Sequence, residues 1–257
     1  MKKIAIVTGA SSGMGRIFAK TAFQHADFEE LWVIARREDR LKELENACGV
    51  PVKCISMDLS SRENFRKYED LLSKEQPDVR LLVQCSGFGK FEATMETKLS
   101  DNLNMVDLNC GAVLSMAQLT IPYMQPGASM INIASVAAFQ PTPYINVYAA
   151  TKAFVLSFSR ALNRELKAKQ IRVMALCPFW TKTEFFSRAI DDGKEKVVKK
   201  YVAMYEPEQL VTRAWRDLKR KKDVSQFGFM ARLQAILCKI LPHSLVMSAW
   251  MNQQKLK

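Results

Sequence analysis

The chain has 257 residues, of which 48% are hydrophobic, and a formal net charge of +12 at pH 7. This composition excludes a disordered chain, and the length suits one α/β domain with a sizeable core. The six cysteines are scattered without C-x-x-C pairs, so we expect reduced thiols in a cytoplasmic protein and no metal site. We also expect no signal peptide and no membrane-spanning helix, because no apolar stretch reaches ~18 residues.

The high positive charge allows nucleic acid, an anionic membrane or a phosphorylated ligand as a partner. The sequence shows neither a recognition-helix pattern nor a zinc-finger pattern, so we expect no nucleic acid partner. It also lacks a G-x-S-x-G motif, which argues against a serine hydrolase.

Short apolar segments alternate with longer segments of helical periodicity along most of the chain. The predicted strands are 3–7, 31–35, 52–57, 80–85, 130–134 and 171–177, and the predicted helices are 16–25, 38–47, 62–73, 99–124 and 147–169. Such alternation indicates a parallel sheet covered on both faces, wound into a Rossmann-like, doubly wound α/β fold. Ligands of such folds bind at the carboxyl ends of the strands. We predict one Rossmann-type domain over 1–228, extended by an amphipathic helical tail over 229–257.

A glycine-rich turn joins the first predicted strand to the first predicted helix, with the pattern Gly9-x-x-x-Gly13-x-Gly15. Glycines here permit a tight turn and let backbone amides approach a pyrophosphate at the helix amino terminus, whose dipole favours anions. The spacing differs from G-x-x-x-x-G-K-[ST], so a dinucleotide is favoured over a P-loop nucleotide.

Two arginines follow the second predicted strand, at the position that selects the dinucleotide. An acidic residue there would bind the ribose 2′-hydroxyl, whereas this chain has Arg36-Arg37. A guanidinium matches phosphate oxygens in bidentate geometry, so we predict NADPH over NADH. The alternative is that the two arginines only cap an exposed strand end.

Tyr148 and Lys152 are four residues apart in the predicted helix 147–169 and therefore lie on one face of it. A lysine ammonium one turn away would lower the pKa of the phenol and prepare it to exchange a proton during a reaction. The alternative is chance, because Y-x-x-x-K falls on many helices.

These motifs, together with Ser135 after the fifth predicted strand, resemble the short-chain dehydrogenase/reductase family over roughly the first 185 residues. The resemblance implies that Tyr148 donates a proton to a carbonyl being reduced, and that Lys152 holds the nicotinamide ribose and lowers the pKa of Tyr148. It also implies that Ser135 hydrogen-bonds the substrate oxygen and that Asn109 supports a water-linked proton relay to Lys152.

The resemblance further implies an NADP(H) site at the strand ends. Asp58-Leu59 match a pair that contacts adenine, and Thr181 and Thr183 are both candidates for the hydroxyl beside the nicotinamide carboxamide, with Thr183 favoured by spacing. The implied cofactor-binding residues are Gly9, Ser11, Ser12, Gly13, Met14, Gly15, Arg36, Arg37, Asp58, Leu59, Ser86, Gly87, Tyr148, Lys152, Pro178, Thr181 and Thr183.

The chain departs from the family pattern after the fourth predicted strand and after Pro178. Gln84-Cys85-Ser86-Gly87 replaces the usual Asn-Asn-Ala-Gly, and Phe179 replaces a glycine. Gly87 retains the close backbone approach, but the amide side chains that brace the sheet and line the adenosine are replaced. We therefore expect weaker bracing of the sheet, with dinucleotide binding retained.

Aromatic and apolar residues are concentrated in the strand-end loops and in the segment after Pro178, which forms a mobile lid in the family. They are Phe88, Phe91, Phe139, Tyr144, Phe179, Trp180, Phe185, Phe186, Tyr201, Met204 and Tyr205. Such a wall favours a bulky, apolar ketone, and the alternative for each residue is ordinary packing. A steroid, a 3-oxoacyl thioester and an aromatic ketone all stay open. The lysines within 194–200 favour an anionic carrier such as coenzyme A.

The tail over 229–257 has apolar residues at helical spacing up to Pro242 and again from Leu245. Three interpretations stay open: packing on the domain or on a dimer partner, a lid over the substrate pocket, or peripheral association with an anionic membrane. The resemblance implies a homodimer or homotetramer.

The sequence thus predicts an enzyme that reduces a bulky, apolar ketone to a secondary alcohol, or catalyses the reverse, by hydride transfer with NADP(H) and a tyrosine general acid or base. The alternative is a non-catalytic NADP(H)-binding sensor on the same fold. Retention of Tyr148, Lys152, Ser135 and Asn109 together argues against the sensor.

Overall fold

A parallel sheet of seven strands forms the centre of the molecule. The computed structural model describes residues 1–189 and 197–256. Every neighbouring pair of strands is parallel, and the order across the sheet is β3-β2-β1-β4-β5-β6-β7. The strands are β1 Lys3–Thr8, β2 Glu30–Ala35, β3 Val52–Ser56, β4 Asp78–Gln84, β5 Ser129–Ile133, β6 Arg172–Leu176 and β7 Val224–Ser225. The predicted Rossmann-like, doubly wound α/β fold is confirmed.

Helices cover both faces of the sheet. They are α1 Gly13–Thr21, α2 Glu38–Lys42, α3 Asn64–Glu75, α4 Leu99–Val106, α5 Ala112–Thr120, α6 Asn146–Glu165, α7 Phe185–Ala189, α8 Pro207–Lys219, α9 Phe229–Ile240 and α10 His243–Gln254. Within the two described ranges, every helix is too short or too polar to cross a lipid bilayer.

The strands are nearly continuous apolar runs because both of their faces are buried. On one face, Phe18 of α1 packs edge-on against Trp215 of α8, with ring centroids 5.1 Å apart. On the other face, Tyr68 of α3 packs with Met116 of α5 and Leu162 of α6 in a second core cluster. Each fully buried side chain of this size contributes about 1.5–3 kcal/mol to the hydrophobic term of folding.

Several elements differ from the sequence prediction, among them α7, which was not predicted, and α2, which ends at Lys42 and not at residue 47. The helical region predicted over 99–124 is divided by a π-helical turn, Asp107–Gly111. The sequence analysis does not predict α8, whose amino terminus carries a capping box between Glu206 and Gln209. It also does not predict β7, which extends the sheet by two residues and pairs with β6. A strand of two residues has no periodicity from which it could be recognised.

The two helices of the tail pack on the body of the molecule. α9 contacts the short turn Val136–Phe139 that follows β5. On α10, Trp250 is buried and its indole N–H donates to the carbonyl oxygen of Pro143 at 3.0 Å. The amide oxygen of Gln254 accepts hydrogen bonds from the backbone N–H groups of Lys199 (2.8 Å) and Lys200 (2.9 Å). The division at residue 228 into domain and extension stays a prediction.

Candidate active site

Two adjoining cavities open at the carboxyl edge of the sheet, beside the point where β1 and β4 lie next to each other and the strand order reverses. The smaller one, called here the groove, has a volume of about 170 Å³ and is lined by the glycine-rich turn after β1. The larger one, called here the cavity, has a volume of about 400 Å³ and lies next to Tyr148. Met14, Cys85, Gly87, Thr183 and Phe185 line both, so the two spaces are continuous.

Glycines let two backbone segments come close at the start of the groove. Gly9 has a φ of +66°, and a Cβ atom on it would lie 2.8 Å from backbone atoms of Cys85. A Cβ atom on Gly15 would collide with the carbonyl oxygen of Gly9. The turn directs the amino terminus of α1 towards the groove, where free backbone amides and the helix dipole favour an anion. The groove therefore fits the pyrophosphate of a dinucleotide.

Most of the predicted cofactor-binding residues line the groove. They are Gly9, Ser11, Ser12, Gly13, Met14, Gly15, Arg36, Arg37, Asp58, Leu59, Ser86, Gly87 and Thr183. The remaining ones, Tyr148, Lys152, Pro178 and Thr181, line the cavity, and Met14, Gly87 and Thr183 line both spaces.

Both arginines after β2 lie at the groove and have acidic partners. Nη2 of Arg37 donates to Oγ of Ser11 at 3.2 Å and to Oε2 of Glu184 at 2.9 Å. The hydrogen bond from Arg37 lowers the pKa of Glu184, so this carboxyl group is ionised at neutral pH. Nη1 of Arg36 lies 3.8 Å from Oδ2 of Asp58. Arg37 thus connects the turn after β1 with the segment that follows β6.

Tyr148, Lys152 and Ser135 come together at the floor of the cavity. The hydroxyl group of Ser135 lies close enough to Tyr148 to lower the pKa of its phenol, and Oγ of Ser135 accepts from the backbone N–H of Ala137 at 3.1 Å. Nζ of Lys152 lies 5.7 Å from the centre of the Tyr148 ring and donates to the carbonyl oxygen of Ile133 at 2.8 Å. The end of β5 thereby holds both the serine and the lysine against α6.

Burial dominates the protonation of both groups on α6. It raises the pKa of Tyr148 to about 12, against the opposing effect of the Ser135 hydroxyl group, and it lowers the pKa of Lys152 to about 8. Lys152 is not among the groups that shift the pKa of the phenol here, and its lowering of that pKa stays a prediction. Apolar surroundings disfavour both charged forms, and the ammonium is directed at the carbonyl of Ile133. Tyr148 keeps its proton at neutral pH, which suits a proton donor.

Asn109 is fully buried in the π-helical turn between α4 and α5. Its Nδ2 donates to the carbonyl oxygen of Phe88 (2.8 Å) and to Oγ1 of Thr151 (3.0 Å), and its Oδ1 accepts from the N–H of Phe88 (3.1 Å). A Cβ atom on Gly87 would lie 2.8 Å from this Oδ1 and 3.4 Å from Nζ of Lys152. Single π-helical turns recur at functional sites. Asn109 holds the loop after β4 beside Lys152, and its part in a proton relay stays a prediction.

The end of β4 is firmly braced despite its unusual sequence. Gln84 is buried, and its Nε2 donates to Oδ1 of Asn132 on β5 at 3.0 Å. Oγ1 of Thr8 on β1 accepts from the N–H groups of Cys85 (3.1 Å) and Ser86 (3.2 Å). The longer amide of Gln84 thus reaches the next strand and Thr8 ties β4 to β1, while the expectation that this bracing is weaker than the family's stays a prediction.

Aromatic rings form one wall of the cavity. The ring centre of Phe91 lies 6.2 Å from that of Tyr148, 6.0 Å from Trp180, 5.9 Å from Phe185 and 6.4 Å from Phe186. Of the aromatic residues predicted to face a substrate, Phe88 lines the groove instead and Phe139 packs in a core cluster. Those that line the cavity are Phe91, Phe179, Trp180, Phe185 and Phe186.

The sequence analysis did not identify two parts of the site. A Cβ atom on Gly89 would lie 2.8 Å from Cδ2 of Tyr148 and 2.9 Å from Cζ of Phe185, so this glycine makes room for the two rings. A further wall of the cavity comes from α9, α10 and the turn between them, chiefly Leu233, Leu237, Leu241, Leu245 and Trp250, of which Trp250 stacks on Trp180. The apolar periodicity of the tail was the signal in the sequence for this wall. It did not distinguish packing on the domain or a partner, a lid over the substrate pocket and association with a membrane.

The basic segment proposed for an anionic carrier is described only in part. Lys194 and Lys196 lie outside the described residues, while Lys199 and Lys200 are exposed.

The fold and the groove define a dinucleotide-binding α/β protein. The profile of the short chain dehydrogenase family matches residues 3–194. An uncharacterized oxidoreductase of Staphylococcus epidermidis is 29% identical over 197 residues, covering 76% of this chain and 84% of that protein. The very-long-chain 3-oxoacyl-CoA reductase-A of Danio rerio is 30% identical over 192 residues, covering 71% of this chain and 59% of that protein.

Among solved structures, a short-chain dehydrogenase from Sphingobium yanoikuyae in complex with NADPH has a TM-score of 0.76 and 27% sequence identity, covering 96% of this chain and 95% of that one. The chain belongs to the short-chain dehydrogenase/reductase family. It is an oxidoreductase that acts on a CH–OH or C=O group with a nicotinamide dinucleotide.

Proposed function

We propose that the protein is an NADPH-dependent reductase that converts a bulky, apolar ketone to a secondary alcohol. The observation that carries the proposal is the protonated Tyr148, which lies with Ser135 on the floor of the cavity, where this cavity joins the groove. A phenol that keeps its proton can act as the general acid towards a carbonyl oxygen.

The nicotinamide, when bound, supplies the hydride. The turn over 9–15 would hold the pyrophosphate, Asp58 and Leu59 the adenosine, and Pro178 with Thr181 or Thr183 the carboxamide. Lys152 would hold the nicotinamide ribose. These residues line the groove and its junction with the cavity, which supports the assignment.

The remaining polar groups act on the substrate oxygen. Ser135 orients the carbonyl oxygen by a hydrogen bond, and Tyr148 transfers its proton to that oxygen as the alcohol forms. Lys152 is mostly protonated at neutral pH, since its pKa is about 8, and it returns a proton to Tyr148 through the relay that Asn109 supports. In the reverse direction, Tyr148 removes the proton of the alcohol.

The choice of NADPH rests on Arg36 and Arg37, which bring two guanidinium groups to the end of the groove beside Ser11. Guanidinium groups bind a 2′-phosphate in bidentate geometry, whereas an acidic residue there would repel it. The structural neighbour from Sphingobium yanoikuyae, which is in complex with NADPH, supports the same choice.

The choice of an apolar ketone rests on the cavity. Its aromatic wall and the leucines of α9 and α10 offer a large apolar surface with few polar groups, which is how proteins bind bulky apolar ligands. The Danio rerio relative is named as a reductase of very-long-chain 3-oxoacyl-CoA, a substrate with a long apolar chain beside its ketone.

NADPH oxidation with a panel of steroid, 3-oxoacyl and aromatic ketones tests the proposal, with Tyr148→Phe measured alongside. We expect turnover of at least one ketone by the natural protein, and a loss of about 10²–10⁴-fold in Tyr148→Phe. NADPH should still bind, because the substitution removes only one hydroxyl group and leaves the lining of the groove intact. Tyr123→Phe, outside both the groove and the cavity as they are described, is the matched control and should keep full turnover.

Equal turnover by Tyr148→Phe and the natural protein would contradict the role of this phenol. Tight NADPH binding without turnover of any ketone in the panel would favour the non-catalytic sensor.

A further inference from the structure

A typical surface helix buries its large apolar side chains, whereas α9 exposes several of them. The residues that α9 turns towards the protein are small, among them Ala231 and Ala235, which are 0% and 5% exposed. Its large apolar side chains point to the outside instead. Phe229 is 75% exposed, Ile236 is 55% exposed and Ile240 is 73% exposed.

This exposed surface continues to the mouth of the cavity. Leu237, Leu241 and Leu245 are 41%, 39% and 58% exposed and also line the cavity. Val202, which is 53% exposed, lines it from the segment that Gln254 holds against α10. We call Phe229, Ile236, Leu237, Ile240, Leu241 and Leu245 the tail face. The cavity therefore opens at an apolar surface.

The charges beside the tail face are basic. Arg232 and Lys239 are exposed, and their spacing places them together on one flank of α9, next to Phe229 and Ile236. No acidic residue follows Asp223 in the sequence. A second copy of the chain on this face would bring like charges together, whereas an anionic surface would complement them.

We propose that the tail face docks on an anionic phospholipid membrane, with α9 lying in the plane of the headgroups. An exposed apolar stripe flanked by lysine and arginine is the arrangement by which helices bind at a lipid interface. The mouth of the cavity would then face the lipid. If the proposed function holds, an apolar ketone can enter the cavity from the membrane.

Vesicle flotation of the full chain tests this docking, with no cofactor or substrate present. We expect the protein to bind vesicles of phosphatidylglycerol and phosphatidylcholine in equal parts, more weakly at high salt, and not to bind phosphatidylcholine alone. Phe229→Asp combined with Ile240→Asp should lower the partition coefficient at least ~10-fold, because two apolar side chains leave the interface. Both residues are largely exposed, so the change should not disturb folding.

Two further proteins make the test specific. Leu99→Asp on α4, at a residue that is 71% exposed outside the tail face, should bind like the natural protein. Arg232→Gln combined with Lys239→Gln should bind roughly 10-fold more weakly at low salt and should lose most of the salt dependence.

Three outcomes would overturn the proposal. The first is no binding of the natural protein to anionic vesicles at low salt, and the second is equal vesicle binding by the natural protein and the Phe229→Asp/Ile240→Asp variant. The third is that the natural protein binds no vesicles and is a dimer in light scattering, whereas the Phe229→Asp/Ile240→Asp variant is a monomer. The last result would assign the tail face to a second copy of the chain. Tyr148→Phe should bind vesicles normally, so failure of the proposed function and failure of the docking are distinguishable.

Discussion

The groove and the cavity lie side by side, but they are built in different ways. The groove is formed largely by short segments at the ends of strands, chiefly the turn over 9–15 and the residues directly after β2, β3 and β4, with residues 183–185 beside them. The cavity is assembled from side chains of distant segments, from Phe91 through Trp180 to Trp250. A site made by backbone needs particular residue types at fixed spacing, so it leaves a recognisable pattern. A wall of apolar side chains does not.

The largest effect is expected from breaking the backbone contact that forms the groove. In Gly15→Ala, the new methyl group would collide with the carbonyl oxygen of Gly9, so the turn and α1 must separate. We expect a loss of about 3 kcal/mol in the free energy of unfolding and a large loss of NADPH affinity, measured by urea denaturation and fluorescence titration.

Gly111→Ala is the control for that change. A Cβ atom on Gly111 would meet nothing within 4 Å among the described residues, apart from its own helix and chain neighbours. The helical backbone there should accept alanine with no loss of stability, or a gain of up to about 1 kcal/mol. Equal losses in both variants would show that any methyl group added to these helices destabilises the protein, and that the close approach of Gly9 does not decide the result.

A smaller effect, which depends on pH, is expected from Lys152 on the floor of the cavity. Burial lowers the pKa of Lys152 to about 8 from an ordinary value of 10.5. Between these values the unfolded chain holds a proton that the folded chain has released, so this lysine makes stability rise with pH. Below the folded pKa both the folded and the unfolded chain hold the proton. Stability then no longer changes with pH through this lysine, and the cost of the buried ammonium is constant.

Comparison of the natural protein with Lys152→Met isolates this contribution, since the other titrating groups are common to both. The free energy of unfolding of the natural protein should rise relative to Lys152→Met by up to roughly 1.4 kcal/mol per pH unit above pH ~8. Urea denaturation from neutral pH to the pKa of a free lysine measures it. A pH-independent difference would mean that Lys152 has an ordinary pKa in the folded protein.

The smallest effect is expected where the segment after β6 reaches over the groove. Glu184 forms an ion pair with Arg37, and both side chains are more than one-third exposed. A 2′-phosphate must compete with this carboxylate for the guanidinium. Glu184→Gln should therefore raise NADPH affinity up to about fivefold and leave NADH affinity unchanged, because exposed pairs contribute at most about 1 kcal/mol.

Glu206→Gln is the matched control, since Glu206 forms an exposed ion pair with Lys182 and does not line the groove as described. It should leave both affinities unchanged. An equal gain for NADH and NADPH in Glu184→Gln would show that the carboxylate repels the dinucleotide as a whole and does not compete with the 2′-phosphate.

The sequence was sufficient for what depends on local patterns. The strands of the groove, the turn over 9–15 and the helix break at Pro242 follow from spacing and from glycine and proline chemistry. The pKa of Tyr148 could not be predicted, because it depends on burial by segments distant in sequence. The bracing by Gln84 and Thr8 depends on the register of three strands. The site residues themselves stay predictions until the variants are measured.

The clamp between Gln254 and the backbone of residues 199–200 has a consequence for synthesis. The residues that line the groove end at Phe185, whereas those that line the cavity extend to Gln253. During translation the amino-terminal part emerges first. The nascent chain therefore contains every described residue of the groove before α8, α9 and α10 have been added. The pocket for the second ligand closes only when the last turn of α10 has left the ribosome.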